Sequence, residues 1–146
     1  MALDIQEIRR RAEAGSAVNE CALGLCYLYG VDVPVDYGRA FGLLFSAAGK
    51  RVTRARLHLG FMYVEGWGTR RNVPEAIALF KLVAGEDEEN DGFEACIALG
   101  RIYANTAPDL ASALEWYAAA ISIAPEGDGD DLREAKAYLA RYRKEG

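Results

Sequence analysis

The stretch Ala55-Arg-Leu-His-Leu59-Gly60-Phe-Met-Tyr63-Val-Glu-Gly66-Trp-Gly68 decides the fold. Ala55, Leu59, Met62 and Tyr63 recur at i, i+4, i+7 and i+8, one apolar stripe of an α-helix. Gly66 and Gly68 follow directly, where glycine supplies the left-handed cap of a helix end. The same pattern occurs twice more. Leu23-Gly24-Leu-Cys-Tyr27 lies 36 residues upstream (59 − 23) and Leu99-Gly100-Arg-Ile-Tyr103 lies 40 downstream (99 − 59). A second shared block follows each. It holds Arg39-Ala40, Leu43-Leu44 and Ala47-Ala48, then Glu75-Ala76, Leu79-Phe80 and Val83-Ala84, then Ser112-Ala113, Trp116-Tyr117 and Ala120. Ala76, Phe80, Val83 and Ala84 again mark one helix face. Repetition at this period is the signature of stacked helix pairs.

Gly24, Gly60 and Gly100 sit in mid-helix, where glycine costs about 1 kcal/mol against alanine. Three such costs at one repeat position predict helices crossing too closely for a side chain. Pro34, Pro74 and Pro108 fall near the next helix starts, where proline is tolerated. The pattern predicts helices over 3–14, 17–29, 36–49, 53–65, 73–84, 92–104, 109–123 and 131–144, and no strand. Asp-Gly-Asp-Asp at 128–131 offers an N-cap for the last helix. That helix carries Leu132, Ala135, Leu139 and Tyr142 on one face, as the lid of an open stack requires.

At 146 residues, 51% hydrophobic and 27% charged, the chain is one domain of ordinary globular composition. That excludes a disordered tail and a two-domain enzyme. The net charge of −5 argues against general nucleic-acid affinity. Residues 1–73 carry ten basic and seven acidic side chains, and residues 74–146 carry seven and fifteen. This asymmetry either steers a charged partner or reflects two solvated acidic loops, 86–91 and 126–131. Neither a signal peptide nor a membrane span is read. Cys21, Cys26 and Cys96 lack metal-ligand spacing and read as reduced thiols of a cytoplasmic protein.

These residues resemble the Sel-1-like repeat, a longer-linker relative of the tetratricopeptide repeat. The middle repeat carries the pattern at Ala55, Leu59, Gly60, Tyr63, Gly66, Gly68, Ala76, Phe80 and Ala84, with Asn72 where Asp is usual. The first carries it at Leu23, Gly24, Tyr27, Gly30, Asp36, Arg39, Ala40, Ala47 and Ala48, with Asp32 in place of the second Gly. The third has a linker three residues shorter, closed by Pro125 after Ile121-Ser-Ile-Ala. The resemblance implies an all-α, right-handed α-solenoid of antiparallel helix pairs spanning 1–146. Its repeats would lie at 15–50, 51–90 and 91–125, with capping helices at 3–14 and 131–144. It also implies a protein-binding role without catalysis. The cysteines do not fall at one repeat position, which sets the chain apart from the cysteine-rich, disulfide-bonded members.

In stacks of this kind the first helix of each pair lines the inner face. Carried over by position, the expected partner-binding residues are Tyr29, Arg54, Leu57, Phe61, Glu65, Ile97, Arg101 and Asn105. Aromatic and Arg side chains among them are the usual anchor types. The competing reading makes these positions ordinary core. Trp67 is either a loop staple or an exposed contact. His58 lacks the spaced partners of a catalytic triad or metal pair. Asp87-Glu-Glu-Asn-Asp91-Gly92 imitates a calcium loop, but Ala98 stands where a bidentate Glu is needed. No catalytic residue, metal or cofactor is expected. The expected function is a scaffold or adaptor binding a protein or peptide in a concave groove, as a monomer or weak homo-oligomer, with no nucleic acid or membrane partner. The alternatives are a dedicated inhibitor, such as an immunity protein capping one toxin or enzyme, and a small hydrolase.

Overall fold

Asp4, Ser16, Asp36 and Asp109 each stand one residue before a helix and accept a backbone N–H from its first turn. In the computed structural model, which describes residues 4–86, 90–127 and 129–143, the helices they start are α1 (Ile5–Glu13), α2 (Ala17–Tyr29), α3 (Tyr37–Gly49) and α7 (Leu110–Ile123). The others are α4 (Thr53–Glu65), α5 (Val73–Ala84), α6 (Asp91–Arg101) and α8 (Asp130–Tyr142). No strand occurs among the described residues. The acidic run expected as a loop falls partly on 87–89, outside the described residues, as do the ends of the two outermost expected helices.

Two compact units divide the chain, 1–79 and 80–146. In the first, α1 packs on α2, α2 on α3 and α3 on α4; in the second, α6 packs on α7 and α7 on α8. Within each unit these helices bury apolar stripes against neighbours in sequence, which is how helix-pair repeats build a core. The core of the first unit holds Leu23, Tyr27, Leu44, Ala47, Leu59 and Met62. That of the second holds Cys96, Ile97, Tyr117, Ala120 and Leu139.

The mid-helix glycines mark close crossings where the structure gives their surroundings. A Cβ at Gly24 would stand 2.8 Å from Leu44 Cγ, and one at Gly100 would stand 2.7 Å from the Tyr117 ring. Both are closer than atoms can pack.

The linkers close by one recurring bond. The N–H of the residue capping the next helix donates to the carbonyl of the repeat tyrosine: Asp36 to Tyr27 (2.9 Å), Asn72 to Tyr63 (2.9 Å) and Asp109 to Tyr103 (2.8 Å). In the first two linkers, Gly30 and Gly66 end their helices in left-handed conformation, at φ 69° and 73°. The third lacks this glycine. There α6, expected to run as regular helix to 104, widens at Ile102–Thr106 into a π-turn whose Ala107 N–H reaches the Ile102 carbonyl. The N-cap expected from Asp-Gly-Asp-Asp is also different. Gly129 holds that position without a side-chain bond, and residue 128 lies outside the described set.

Trp67 stacks on Tyr37 at 5.6 Å between ring centroids, the loop-staple arrangement. Beside it, Gly68 has φ 71°, and a Cβ there would run into the Tyr37 carbonyl.

Candidate functional site

In the first unit, the end of α2 meets the middle of α4. Tyr29, the last residue of α2, is 53% exposed, yet its hydroxyl is 2.8 Å from His58 Nδ1. The two rings meet edge to face at 5.6 Å, and His58 meets Phe61 in the same manner at 5.9 Å. His58 itself is buried. Burial first, and the nearby Arg54 charge second, push its pKa down to about 4. The imidazole is therefore neutral at pH 7. In its Nε2–H tautomer it accepts from the Tyr29 hydroxyl and holds that ring in place. Phe61 and Arg54 are half-buried, and Glu65 is exposed at the end of α4.

Of the residues expected at this face, the structure thus brings Tyr29 and Phe61 to one buried histidine, with Arg54 close enough to affect its charge. Leu57 departs from the expectation of exposure: it is fully buried. Helical geometry puts it near 100° from His58, on the core side. Ile97 departs in the same way, being 2% exposed within the core of the second unit.

Arg101 is exposed, but α8 engages it. It bonds Asp131 at 2.7 Å and Glu134 at 2.9 and 3.1 Å. Glu134 also accepts from the Tyr117 hydroxyl at 2.9 Å. Burial works against the Glu134 charge, but Arg101 and Tyr117 outweigh it and hold the carboxyl below its usual range. The guanidinium thus already has carboxylate partners. Asn105 is exposed on the π-turn, with its amide donating to the Arg101 carbonyl. Sequence reasoning missed the α8 acids because they lie 30 and 33 residues from Arg101, with no spacing rule to connect them.

It also missed a pocket of about 530 Å³ in the first unit, where Arg9, Arg39 and Tyr27 meet. The sequence marked Tyr27 and Arg39 only as repeat positions, and Arg9 not at all. Cys96 is buried and its thiol pushed up to about 11 by that burial, away from the thiolate a nucleophile requires. No disulfide joins the three cysteines. Among the described residues no three His, Cys, Asp or Glu are grouped to hold a metal, and no helix is long and apolar enough to cross a membrane.

An all-helical chain with a thrice-repeated linker and a helix-end aromatic cluster is a helical-repeat protein. The model of the Sel1 repeat matches at residues 20–50, 53–84 and 93–122, and the chain belongs to that family. Sel1 repeat proteins generally mediate protein–protein interactions and are typically non-catalytic scaffolds. Two of the solved structures that share the fold illustrate the likeness. One is a Sel1 repeat protein from Oxalobacter formigenes, with TM-score 0.71, 23% identity, and 97% of this chain and 64% of that one covered. The other is c5321, a protective antigen of uropathogenic Escherichia coli strains, with TM-score 0.74, 22% identity, and 99% and 34% covered. The chain therefore spans under two thirds of the first and about a third of the second. No curated protein matches the sequence.

Proposed function

We propose that this chain is a non-catalytic protein-binding module and that the surface formed by Tyr29, Arg54, Phe61 and Glu65 receives a protein or peptide. The carrying observation is Tyr29: a large aromatic side chain more than half exposed, yet fixed by a bond to a buried histidine. A ring held in position before binding loses little entropy on binding, which is what an interface anchor needs. Arg54 and Phe61 beside it are of the residue types that dominate interface energetics. The non-catalytic part of the reading is supported by the two reactive candidates themselves. His58 is shielded, and the Cys96 thiol is kept protonated by burial. Unbridged thiols fit a reducing, cytoplasmic location.

The test places photoreactive benzoylphenylalanine at position 61 or, as control, at Lys136 on α8, in the native cell. The reading expects a protein crosslinked from 61 and not from 136. Affinity of that protein for Tyr29→Ala/Phe61→Asp should fall about thirtyfold or more, with helical circular dichroism intact. A folded double variant that binds its partner at wild-type affinity would overturn the assignment.

A further inference from the structure

Tyr27 and Tyr29 are two residues apart on α2, so they point about 200° apart around its axis. Tyr29 faces α4; Tyr27 faces the opposite side, toward α1 and α3. There the Tyr27 hydroxyl accepts a hydrogen bond from Arg9 Nη2 of α1 at 3.3 Å and another from Arg39 Nη1 of α3 at 3.1 Å. The Arg39 guanidinium also lies over the Tyr27 ring, 5.5 Å from its centroid. Two cations therefore converge on one neutral oxygen. That oxygen has two lone pairs, and the two N–H donors occupy both. Its own proton meets no acceptor among the described residues.

Arg39 has a partial counter-ion in Asp36, at 3.5 Å. Arg9 has no carboxylate within ion-pair distance among the described residues; its neighbours Arg10 and Arg11 take Glu7 instead. The pocket over this cluster is floored by Ala12, Leu23, Leu43 and Gly42, with Glu13 on its lining. No heavy atom lies within 4 Å of where a Gly42 Cβ would stand, so the floor is open at that point.

We propose that this pocket is a binding site for a carboxylate carried beside an apolar side chain, such as the C-terminal carboxylate or an acidic residue of a peptide. Arg9, Arg39 and the Tyr27 hydroxyl supply convergent donors, which suit a two-oxygen acceptor. Leu23 and Leu43 supply apolar surface for the flanking side chain. The charge of the lining favours a carboxylate over phosphate. Arg9, Arg39 and Glu13 sum to +1 on the lining, and Asp36, paired with Arg39 at 3.5 Å, lowers that further, so a monoanion suits the site better than a dianion, which would also face Glu13. The Arg39 bond first, with the weaker Arg9 bond beside it, holds the Tyr27 phenol below its usual pKa despite its burial, as expected of an electropositive site.

The site lies on the other side of α2 from Tyr29, so its test separates from that of the protein-binding surface. The full chain is labelled with ¹⁵N-arginine and the Nε–Hε signals of Arg9 and Arg39 are followed by NMR. N-acetyl-leucine, acetate and inorganic phosphate are titrated in separate samples at constant ionic strength. N-acetyl-leucine should saturate both signals, about tenfold more tightly than acetate, and phosphate should bind more weakly than N-acetyl-leucine. Arg9→Gln should weaken N-acetyl-leucine about tenfold. Gly42→Leu has room for its Cβ and should hold or raise the melting temperature while blocking the pocket. Phe61→Asp should leave this binding unchanged.

N-acetyl-leucine no tighter than acetate would overturn the apolar half of the site. Phosphate binding tighter than N-acetyl-leucine would overturn the carboxylate assignment. Wild-type affinity in both Arg9→Gln and Gly42→Leu would overturn the site itself. Loss of partner crosslinking at position 61 with carboxylate binding intact would count against the Tyr29 surface alone.

Discussion

Asp32 and Gly68 occupy the same place in two consecutive linkers and adopt the same left-handed conformation, at φ 62° and 71°. Asp is among the residues that tolerate this region through local hydrogen bonding. What differs is the neighbour. At Gly68 a Cβ would strike the Tyr37 carbonyl and come within 3.2 Å of Phe41 Cβ. Gly68→Asp should therefore destabilise by more than the roughly 1 kcal/mol of left-handed strain alone, while Asp32→Gly should change the urea midpoint little. Equal effects of the two changes would refute the steric account. A second pair of glycines tests the helix crossings. In α3, Gly42 has open space, and Gly42→Ala should stabilise by about 0.5–1 kcal/mol. Gly100→Ala gains the same propensity but pushes on Tyr117, whose hydroxyl is tied to Glu134 and whose ring packs on Tyr138 at 4.8 Å. Overpacking of this kind costs about 1–3 kcal/mol, so a net loss in chemical denaturation is expected. A more stable Gly100→Ala protein would remove the reason for glycine there.

At the level of elements, the helix starts are the most sequence-determined feature. Asp36, Asn72 and Asp109 each cap the second helix of a pair through a side-chain oxygen on the N–H three residues on. Their backbone N–H groups also close the linker onto the tyrosine carbonyl. Asn72→Ala should therefore cost about 1 kcal/mol in equilibrium unfolding. Asn72→Asp keeps the acceptor and adds a negative charge at a helix N-terminus, so it should gain a few tenths of a kcal/mol at low salt. A gain that survived 1 M salt would point away from helix-dipole electrostatics.

At the scale of the whole molecule, two groups of the first unit, His58 and Glu20, contribute separable steps to acid stability. His58 has an ordinary pKa near 6.5 when unfolded and about 4 when folded. Between those values the unfolded chain binds the extra proton, so stability falls as pH drops from 6.5 to 4. The loss is on the order of 3 kcal/mol. The buried Glu20 carboxylate accepts from Lys50 and from Ser46 Oγ, the latter at 2.6 Å. Lys50 first and Ser46 second hold it below its ordinary 4.5. Its contribution is present above that value and is lost as pH falls through the lower folded pKa. Urea midpoints measured from pH 7 to pH 3 should show His58→Gln flat between 6.5 and 4.5, and Glu20→Gln with a smaller final step, the remainder coming from Glu134 and Asp109, whose carboxyls are also held below their usual range. A His58→Gln protein that still loses stability between pH 6.5 and 4.5 would show that another group titrates there.

The sequence by itself determined the repeat, the helix pattern and the linker chemistry. Each follows from interactions spanning at most a dozen residues: apolar spacing at 3.6 residues per turn, capping oxygens three residues from their N–H, and glycine where the backbone turns left-handed. Local rules reached the candidate site only partway. They put Tyr29, Arg54, Phe61 and Glu65 on helices, while the resemblance to stacked repeats singled these residues out; neither could say that Leu57 and Ile97 face inward. They also could not say that Arg101 is taken by Asp131 and Glu134. Those facts depend on how far each helix is rotated about its axis and which neighbour lies against it. The tertiary structure likewise decided that His58 fixes Tyr29 and that Arg9 and Arg39 meet over Tyr27. These contacts join residues 12 to 29 positions apart, and side-chain packing between helices brings them together.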